Sequence, residues 1–438
     1  MEADVPLTSD ANSRDEADQQ AWPAPLVADP IDAVVTVPGS KSITNRALVL
    51  ASLADGPGVI RRPLHARDTE LMVEALRNFG VQIDEVEGRI EVLPPATLVG
   101  GGSIDVGNAG TVMRFLPPVA ALAGDDVEFH GDDRAAERPV GPVLDALRTL
   151  GVDIDGDAVP FTVRGRGAVR GGEVVVDASS SSQFVSALLL VGARFDDGLT
   201  VLHDGAPVPS QPHIDMTVAM LRDAGVQVDT TVADRWVVSP GPIGARELEV
   251  EPDLSNAAPF LAAAMVTGGQ VVVPGWPKRT MQAGDALRDL FADMGGSCTL
   301  GSEGLTARGP DALVGIDVDL HDVGELTPVV AAVCALATTP STLRGIAHLR
   351  LHETDRLAAL ARELTALGAN VEELDDGLRI EPAPLHGGVF HTYDDHRLAT
   401  AAAVLGLVVP GVYVENVETT AKTMPEFVQL WRSMLEGR

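Results

Sequence analysis

Six times along this chain a short run of strand-like residues gives way to a polar turn and then to a segment that is apolar on nearly every side. The six stretches are "AVVTVPGSKSITNRALVLASL", "SIDVGNAGTVMRFLPPVAALA", "EVVVDASSSSQFVSALLLVGA", "LEVEPDLSNAAPFLAAAMVTG", "IDVDLHDVGELTPVVAAVCAL" and "VFHTYDDHRLATAAAVLGLVV". A helix that is apolar all round is buried. A second run follows each, such as "DTELMVEALRNF" or "HIDMTVAMLRDA", apolar on one face at helical spacing, which predicts an outer helix. Its endings, "NFGVQID", "TLGVDID", "DAGVQVD", "DMGGSCT" and "ALGANVE", recur roughly every 70 residues. The glycine after each run suits the left-handed position that closes a helix. Two short strands come next, as in "VQIDEVEGRIEVLP".

The unit therefore reads β-α-β-α-β-β, and six copies make an α/β (α+β) protein of two domains with three units each. Residues 39–250 form one domain, and residues 31–38 with 251–438 form the other. Crossings between them are expected near 38–39 and 250–251. The sixth unit stops at "TMPEFVQLWRSMLEGR" without closing strands. The stretch "DPIDAVVTV" before Pro38 is expected to cross back and supply a missing strand to the C-terminal half. Residues 1–30 are polar and acidic without an apolar signal core, which predicts a disordered extension rather than a secretion signal or transit peptide.

Composition narrows the function. Hydrophobic residues make up 45% of the chain, enough for packed cores, and every long apolar run is interrupted, so no membrane span is expected. Cys298 and Cys334 form no CxxC pair and point to a reducing cytoplasm. Sixty-three acidic against 32 basic residues leave a net charge of −31, and aromatics are only 4%. Nucleic acid is excluded as a partner on that balance. An anionic ligand would be repelled at long range, so a site for one must gather its cations locally.

That gathering is visible. In "TVPGSKSITNRALVLASL", Ser40 predicts an N-cap, yet Lys41 and Arg46 sit beside the same helix start. Cations there oppose the helix dipole by roughly 0.3–1 kcal/mol each, unless an anion binds between. Either they are solvated surface charges or an anionic ligand compensates. The same turns carry Arg114, Arg138, Arg356, Arg397 and Lys422, near "GNAGT", "ERPVG", "HETDR", "DDHR" and "TAKT". Arg114 can also brace a domain contact. If three inner helices in each half are arranged alike, their positive ends converge on two faces that oppose across a cleft. Gly107 and Gly110 in "GNAGT" allow close backbone approach, and "SSSSQF" offers hydroxyls and an amide.

Other chemistries fit poorly. "GSKS" lacks the spacing of a phosphate-binding P-loop, "GRGAVRGG" misses GxGxxG, and no GxSxG elbow occurs. His348 and His352 lie four apart, and "HTYDDHR" clusters His391, Asp394, Asp395 and His396, but neither matches HExxH or HxxEH. No metal and no cofactor is expected.

Together, "PGSKSITNRAL", "GNAGTVMR", "ERPVG", "SSQF", "HETDR", "DDHR" and "AKTMPEF" make residues 31–438 resemble the 5-enolpyruvylshikimate-3-phosphate synthase family. The resemblance implies two domains of three βαβαββ units, the enolpyruvyltransferase fold or inverse α/β barrel, closing around substrates. It implies transfer of the enolpyruvyl group of phosphoenolpyruvate to the 5-hydroxyl of shikimate 3-phosphate, through a tetrahedral intermediate, on the route to chorismate and aromatic amino acids. Matching motifs assign shikimate 3-phosphate to Lys41, Ser42, Arg46, Ser181, Ser182, Gln183, Ser210, Glu325 and His352. They assign phosphoenolpyruvate to Lys41, Asn108, Gly110, Arg138, Gln183, Arg356, Arg397 and Lys422. Glu325 takes the place of the proton acceptor and Glu353 that of the proton-donating acid, with Lys41 reaching both substrates. Small molecules are then the only partners expected, for a cytoplasmic monomer open to inhibition by glyphosate.

Three positions depart from the commoner family pattern: Glu325 stands for Asp, His352 for Lys and His213 for Tyr. His352 cannot be assumed charged at neutral pH. Two alternatives stay open. UDP-N-acetylglucosamine enolpyruvyltransferases share fold and donor, but lack a residue like Arg46 and often use a loop cysteine. Neither "GGSCTL" nor "AAVCAL" reads as such a loop. An inactive anion-binding homologue is the other, and the presence of Glu325 and Glu353 stands against it.

Overall fold

The computed structural model describes residues 21–437. Its second unit shows how the pattern folds. Strand Ser103–Asp105 leads into helix Gly110–Ala121, strand Asp126–His130, helix Gly141–Thr149, and strands Asp153–Asp155 and Phe161–Arg164. The first two strands pair in parallel, which requires the crossover helix between them, and the remaining pairings are antiparallel. Alternation turns Val127, Phe129, Phe161 and Val163 inward, and the Phe129 and Phe161 rings stack 4.7 Å apart. All residues of helix Gly110–Ala121 are buried, whereas helix Gly141–Thr149 buries one stripe. The glycines ending the outer helices, Gly80, Gly151, Gly225, Gly295 and Gly368, have φ between +83° and +97°, where a side chain is strained.

Among the described residues there are five four-stranded sheets and one three-stranded sheet, separate from one another rather than closed into one barrel. Two apolar cores result. One gathers residues from Ile43 to Val250, and the other joins Ile31–Val37 to residues from Leu254 to Met434. At the crossings the two strands of chain run side by side. Ser40 N–H donates to Glu251 O and Asp253 N–H to Pro38 O, both at 2.8 Å. Gly39 belongs here because a Cβ would lie 2.2 Å from Arg62 O.

Two expectations change. Strand Asp32–Val34 does cross to the C-terminal half, but it pairs with Gln270–Val273 of the fourth unit, not with the sixth. In exchange, Glu247–Glu249 completes the sheet of the first unit beside Gly58–Arg61. Each crossing thus carries a unit's leading strand into the other half. The sixth sheet is completed instead by Trp22–Pro23, paired antiparallel with Val412–Val414. The expected disordered extension therefore does not reach residues 21–30. Ala24 N–H donates to Val412 O and Val27 N–H to Leu407 O, both at 3.0 Å, and Trp22 packs on the second core. The physical reason is local: "AWPAPLV" is apolar, and averaging it with the acidic stretch before it hid the signal. Residues 1–20, the rest of that expectation, lie outside the described residues.

Candidate active site

The six inner helices start at Lys41, Gly110, Gln183, Ala258, Thr327 and His396. Residues at or just before every one of these starts line a single cleft between the two lobes, enclosing about 1190 Å³ of space open to solvent. None of the six helices carries an acidic residue in its first turn, in a chain with 63 of them. Unpaired N–H groups and dipole ends at such starts favour anions. Ser40 occupies the N-cap position of the first helix, but its side chain does not cap it. Instead Asp253, from the other lobe, accepts Lys41 N–H at 3.0 Å and Asn256 N–H at 2.9 Å.

Arg138, Arg356, Arg397, Gly110 and Gln183 line the cleft. Arg356 is only 2% exposed. Its guanidinium forks onto Asp395 at 2.7 and 3.1 Å and reaches Glu353 at 3.1 Å. Asp395 also caps its helix through Arg397 N–H, so one buried carboxylate holds the Arg356 guanidinium and the helix start that carries Arg397. Arg138 donates to the carbonyl and side-chain oxygens of Asn108, both at 2.7 Å, while its Nε has no partner. Arg114 packs over the Phe184 ring and donates to Gln183 Oε1 at 2.8 Å. The bare side of Gly110 is where these groups meet: a Cβ there would lie 2.8 Å from Arg138 Nη2 and 2.9 Å from Arg114 Nη1. Lys422 and Asn108 stand one layer behind the wall. Lys422 Nζ contacts Glu353 Oε1 at 2.8 Å and Asn108 O at 3.0 Å, which ties the lobes together.

Lys41, Ser42, Arg46, Ser181, Ser182, Ser210, Glu325 and His352 line the same cleft, His352 Nδ1 lying 3.3 Å from Arg356 Nη1. Lys41 Nζ pairs with the buried carboxylate of Asp68 at 3.1 Å. Arg46, 1% exposed, has neutral partners: the hydroxyls of Thr217 and Ser186, the carbonyls of Ser42 and His213, and the Phe115 ring. Burial without a counter-charge lowers its pKa to about 9. An anion entering beside it relieves that desolvation cost. Ser210 has φ +56° and its N–H donates across the lobes to His321 O. Glu325 accepts from Ser255 Oγ at 3.2 Å and lies 3.4 Å from His213 Nε2. Near the mouth, Arg134 donates across the cleft to the carbonyls of Glu353 and His352 at 3.1 and 3.0 Å.

The charges are set by these neighbours. Burial opposes ionisation of Glu325, but His213 and then Arg397 overcome it and hold the carboxyl at about 2. Burial likewise opposes ionisation of Glu353, and Lys422, Arg138 and Arg356 together keep it well below the usual carboxylate range. His352 goes the other way: burial and the Arg356 guanidinium push it well below 6.5, so it is neutral at pH 7. Burial also takes His348 down to about 4 and His396 well below its ordinary value. With these three imidazoles neutral at pH 7, the arginines and Lys41 carry the positive charge beside them. Among the described residues no cluster of three His, Cys, Asp or Glu side chains is arranged to hold a metal ion.

Several residues of the site escaped sequence reasoning. Asp395 is the N-cap of its helix and Asp253 accepts Asn256 N–H in the turn before helix Ala258–Thr267, signals present in "DDHR" and "EPDLSN". His213 stood out only as an unusual residue. Asp68 lies 27 positions from Lys41 on an outer helix, and nothing in the sequence connects the two.

A family profile described as EPSP synthase (3-phosphoshikimate 1-carboxyvinyltransferase) matches residues 27–431. A 3-phosphoshikimate 1-carboxyvinyltransferase of Kocuria rhizophila is 53% identical over 97% of this chain and 98% of its own. Among solved structures, an EPSP synthase of Acinetobacter baumannii superposes with a TM-score of 0.75 at 24% identity, covering 94% of this chain and 97% of that one. The enolpyruvyl transferase NikO of Streptomyces tendae superposes at 0.73 and 18% identity, covering 93% and 95%. These two show the shared fold.

Proposed function

The chain belongs to the EPSP synthase family, and from that footing we propose how its cleft transfers the enolpyruvyl group of phosphoenolpyruvate to the 5-hydroxyl of shikimate 3-phosphate, releasing phosphate. One observation supports the assignment of roles above others: two lobes bring six helix starts and their basic side chains to one cleft that also holds two carboxylates. Each substrate carries a carboxylate and a phosphate. Guanidinium groups match both in bidentate fashion and fix orientation as well as charge. Phosphoenolpyruvate lies against Gly110, Arg138, Arg356 and Arg397, with Lys422 and Asn108 behind them. Shikimate 3-phosphate lies against Ser42, Arg46, Ser181, Ser182, Gln183, Ser210 and His352, and Lys41 stands between the two.

In the addition step the 5-hydroxyl oxygen bonds to C2 of phosphoenolpyruvate as its proton leaves toward Glu325, and the methylene carbon takes a proton from Glu353. In the elimination the C2–O bond to phosphate breaks and the methyl group returns a proton to Glu353, which restores the double bond. Glu353 must therefore hold a proton, although its ion pairs favour the carboxylate. Substrate binding supplies the reason. The anionic groups of phosphoenolpyruvate engage Arg138 and Arg356, and the added negative charge raises the proton affinity of the carboxylate. Alignment of the two reactants supplies much of the rate, with effective molarities of about 10⁵–10⁸ M. Cys298 and Cys334 are both free thiols, in keeping with the cytoplasmic, monomeric enzyme we propose.

Phosphate release with phosphoenolpyruvate is expected with shikimate 3-phosphate and absent with UDP-N-acetylglucosamine. Release with the sugar nucleotide, or with neither acceptor, overturns the reading. Gly110→Ala places a methyl group against Arg138 and Arg114, and a misplacement of this kind costs about 10²-fold. The loss is expected in kcat/KM for phosphoenolpyruvate. Glyphosate is expected to compete at the same place, so its inhibition should weaken as phosphoenolpyruvate rises. Inhibition indifferent to that concentration counts against the placement.

A further inference from the structure

We propose that His213 is the resting place of the proton that leaves the 5-hydroxyl, which reaches its Nε2 through Glu325. The proposal rests on the function given above. His213 lies in the first turn of helix Gln211–Asp223 in one lobe, and Glu325 in the turn His321–Leu326 of the other. Their closest atoms, Nε2 and Oε1, are 3.4 Å apart, with the side chains 21% and 13% exposed.

Both ends of this contact are held. The His213 carbonyl accepts from Arg46, Thr217 and Ser186. Ser210 N–H and Gln211 N–H bond across the lobes to His321 O and Asp322 Oδ1. The imidazole is thereby registered against the carboxylate as the lobes meet. Ser255 Oγ fixes the same Oε1 from a third direction.

Chemistry assigns the direction of transfer. A carboxylate that Arg397 favours in its ionised form retains an alcohol proton poorly, whereas a neutral imidazole at its edge offers a lone pair to take it. In the addition step the O–H bond breaks, the O–C2 bond forms, and the proton passes over Glu325 to a neutral imidazole. The result is an imidazolium beside an ionised Glu325. His213, being partly exposed, returns this proton to water after turnover. Charged and titratable groups on every side enter this balance: Arg46 behind the carbonyl, Glu325 in front, Arg397 beyond it, and Asp322, His321 and His348 in the facing turns. His348, at about 4, and His352, well below 6.5, titrate under the range where the limb is sought.

The test is kcat against pH with both substrates saturating, for wild type, His213→Gln and His213→Tyr. The wild type is expected to lose rate on its acid side between about pH 5 and 8, the range in which histidines change charge. His213→Gln is expected to lower plateau kcat by about 10²-fold, the low end for general base catalysis. The same change should move the acid limb down by more than about one unit, with KM for shikimate 3-phosphate changing far less than kcat. His213→Tyr preserves bulk and a hydrogen-bonding group, so it guards against a folding defect. Its hydroxyl, ordinarily ionising near about 10, takes no proton in this range, and the limb should move down as in His213→Gln. A limb that stays in place in either variant overturns the proposal, as does an unchanged kcat in His213→Gln. A wild type that releases no phosphate from the two substrates overturns the function itself, which keeps the two failures apart.

Discussion

Glu353→Gln is expected to lower kcat by about 10²–10⁴-fold, the range for removing a positioned acid, while KM for phosphoenolpyruvate stays level or falls. The split follows from the ion pairs. Arg356 and Lys422 both spend charge on this carboxylate at 3.1 and 2.8 Å. An amide of the same shape frees them for the substrate but has no proton to give. Steady-state kinetics with each substrate varied checks both halves. A proportional loss in kcat and in binding would reduce Glu353 to a structural ion-pair partner. The same substitution has a consequence for stability. The Glu353 pKa is lower folded than unfolded, so ionisation contributes stability above the unfolded value, about 4.3, and loses it as pH falls through the folded value. Urea unfolding from pH 7 downward is expected to show a steeper loss in the wild type than in the variant.

Arg356→Met is expected to destabilise the protein by about 3–5 kcal/mol, because removing one member of a buried ion pair strands the other. Asp395 is fully buried and meets the guanidinium through both of its oxygens. Adding Asp395→Leu removes the stranded charge, and replacing a whole buried pair by apolar groups is often neutral. The double variant should therefore regain most of the stability, short of about 1 kcal/mol for the lost cap on Arg397 N–H. It should regain none of the activity, since Arg356 also faces the cleft. Denaturant titrations of wild type, single and double variants test the claim. A single variant as stable as the wild type would mean that this pair does not anchor the wall of the cleft at Arg356.

How much of this was legible depends on the range of the interaction. Lys41, Gly110, Arg138 and Glu325 were legible because each sits at a turn before or after a repeated strand, and Arg46 because it lies in the first two turns of the helix that follows one. Trp22–Pro23 was hidden by the acidic residues before it, although its own residues are apolar. Strand Asp32–Val34 was seen to cross, but its partner was misplaced, since a three-residue strand suits more than one open sheet edge.

Periodicity and helix-end chemistry act over a few residues, so the chain alone determined the unit, its number, the buried inner helices and the basic turns. Tertiary structure decided which charges meet. Asp395 reaches Arg356 over 39 positions, Lys422 reaches Asn108 over 314, and His213 faces Glu325 from another lobe. Proton affinity depends on distance and burial in space, and a carboxylate reads the same in sequence whether it faces water or two cations. That is why the basic turns of the cleft were visible in the sequence while the partners that set their protonation were not.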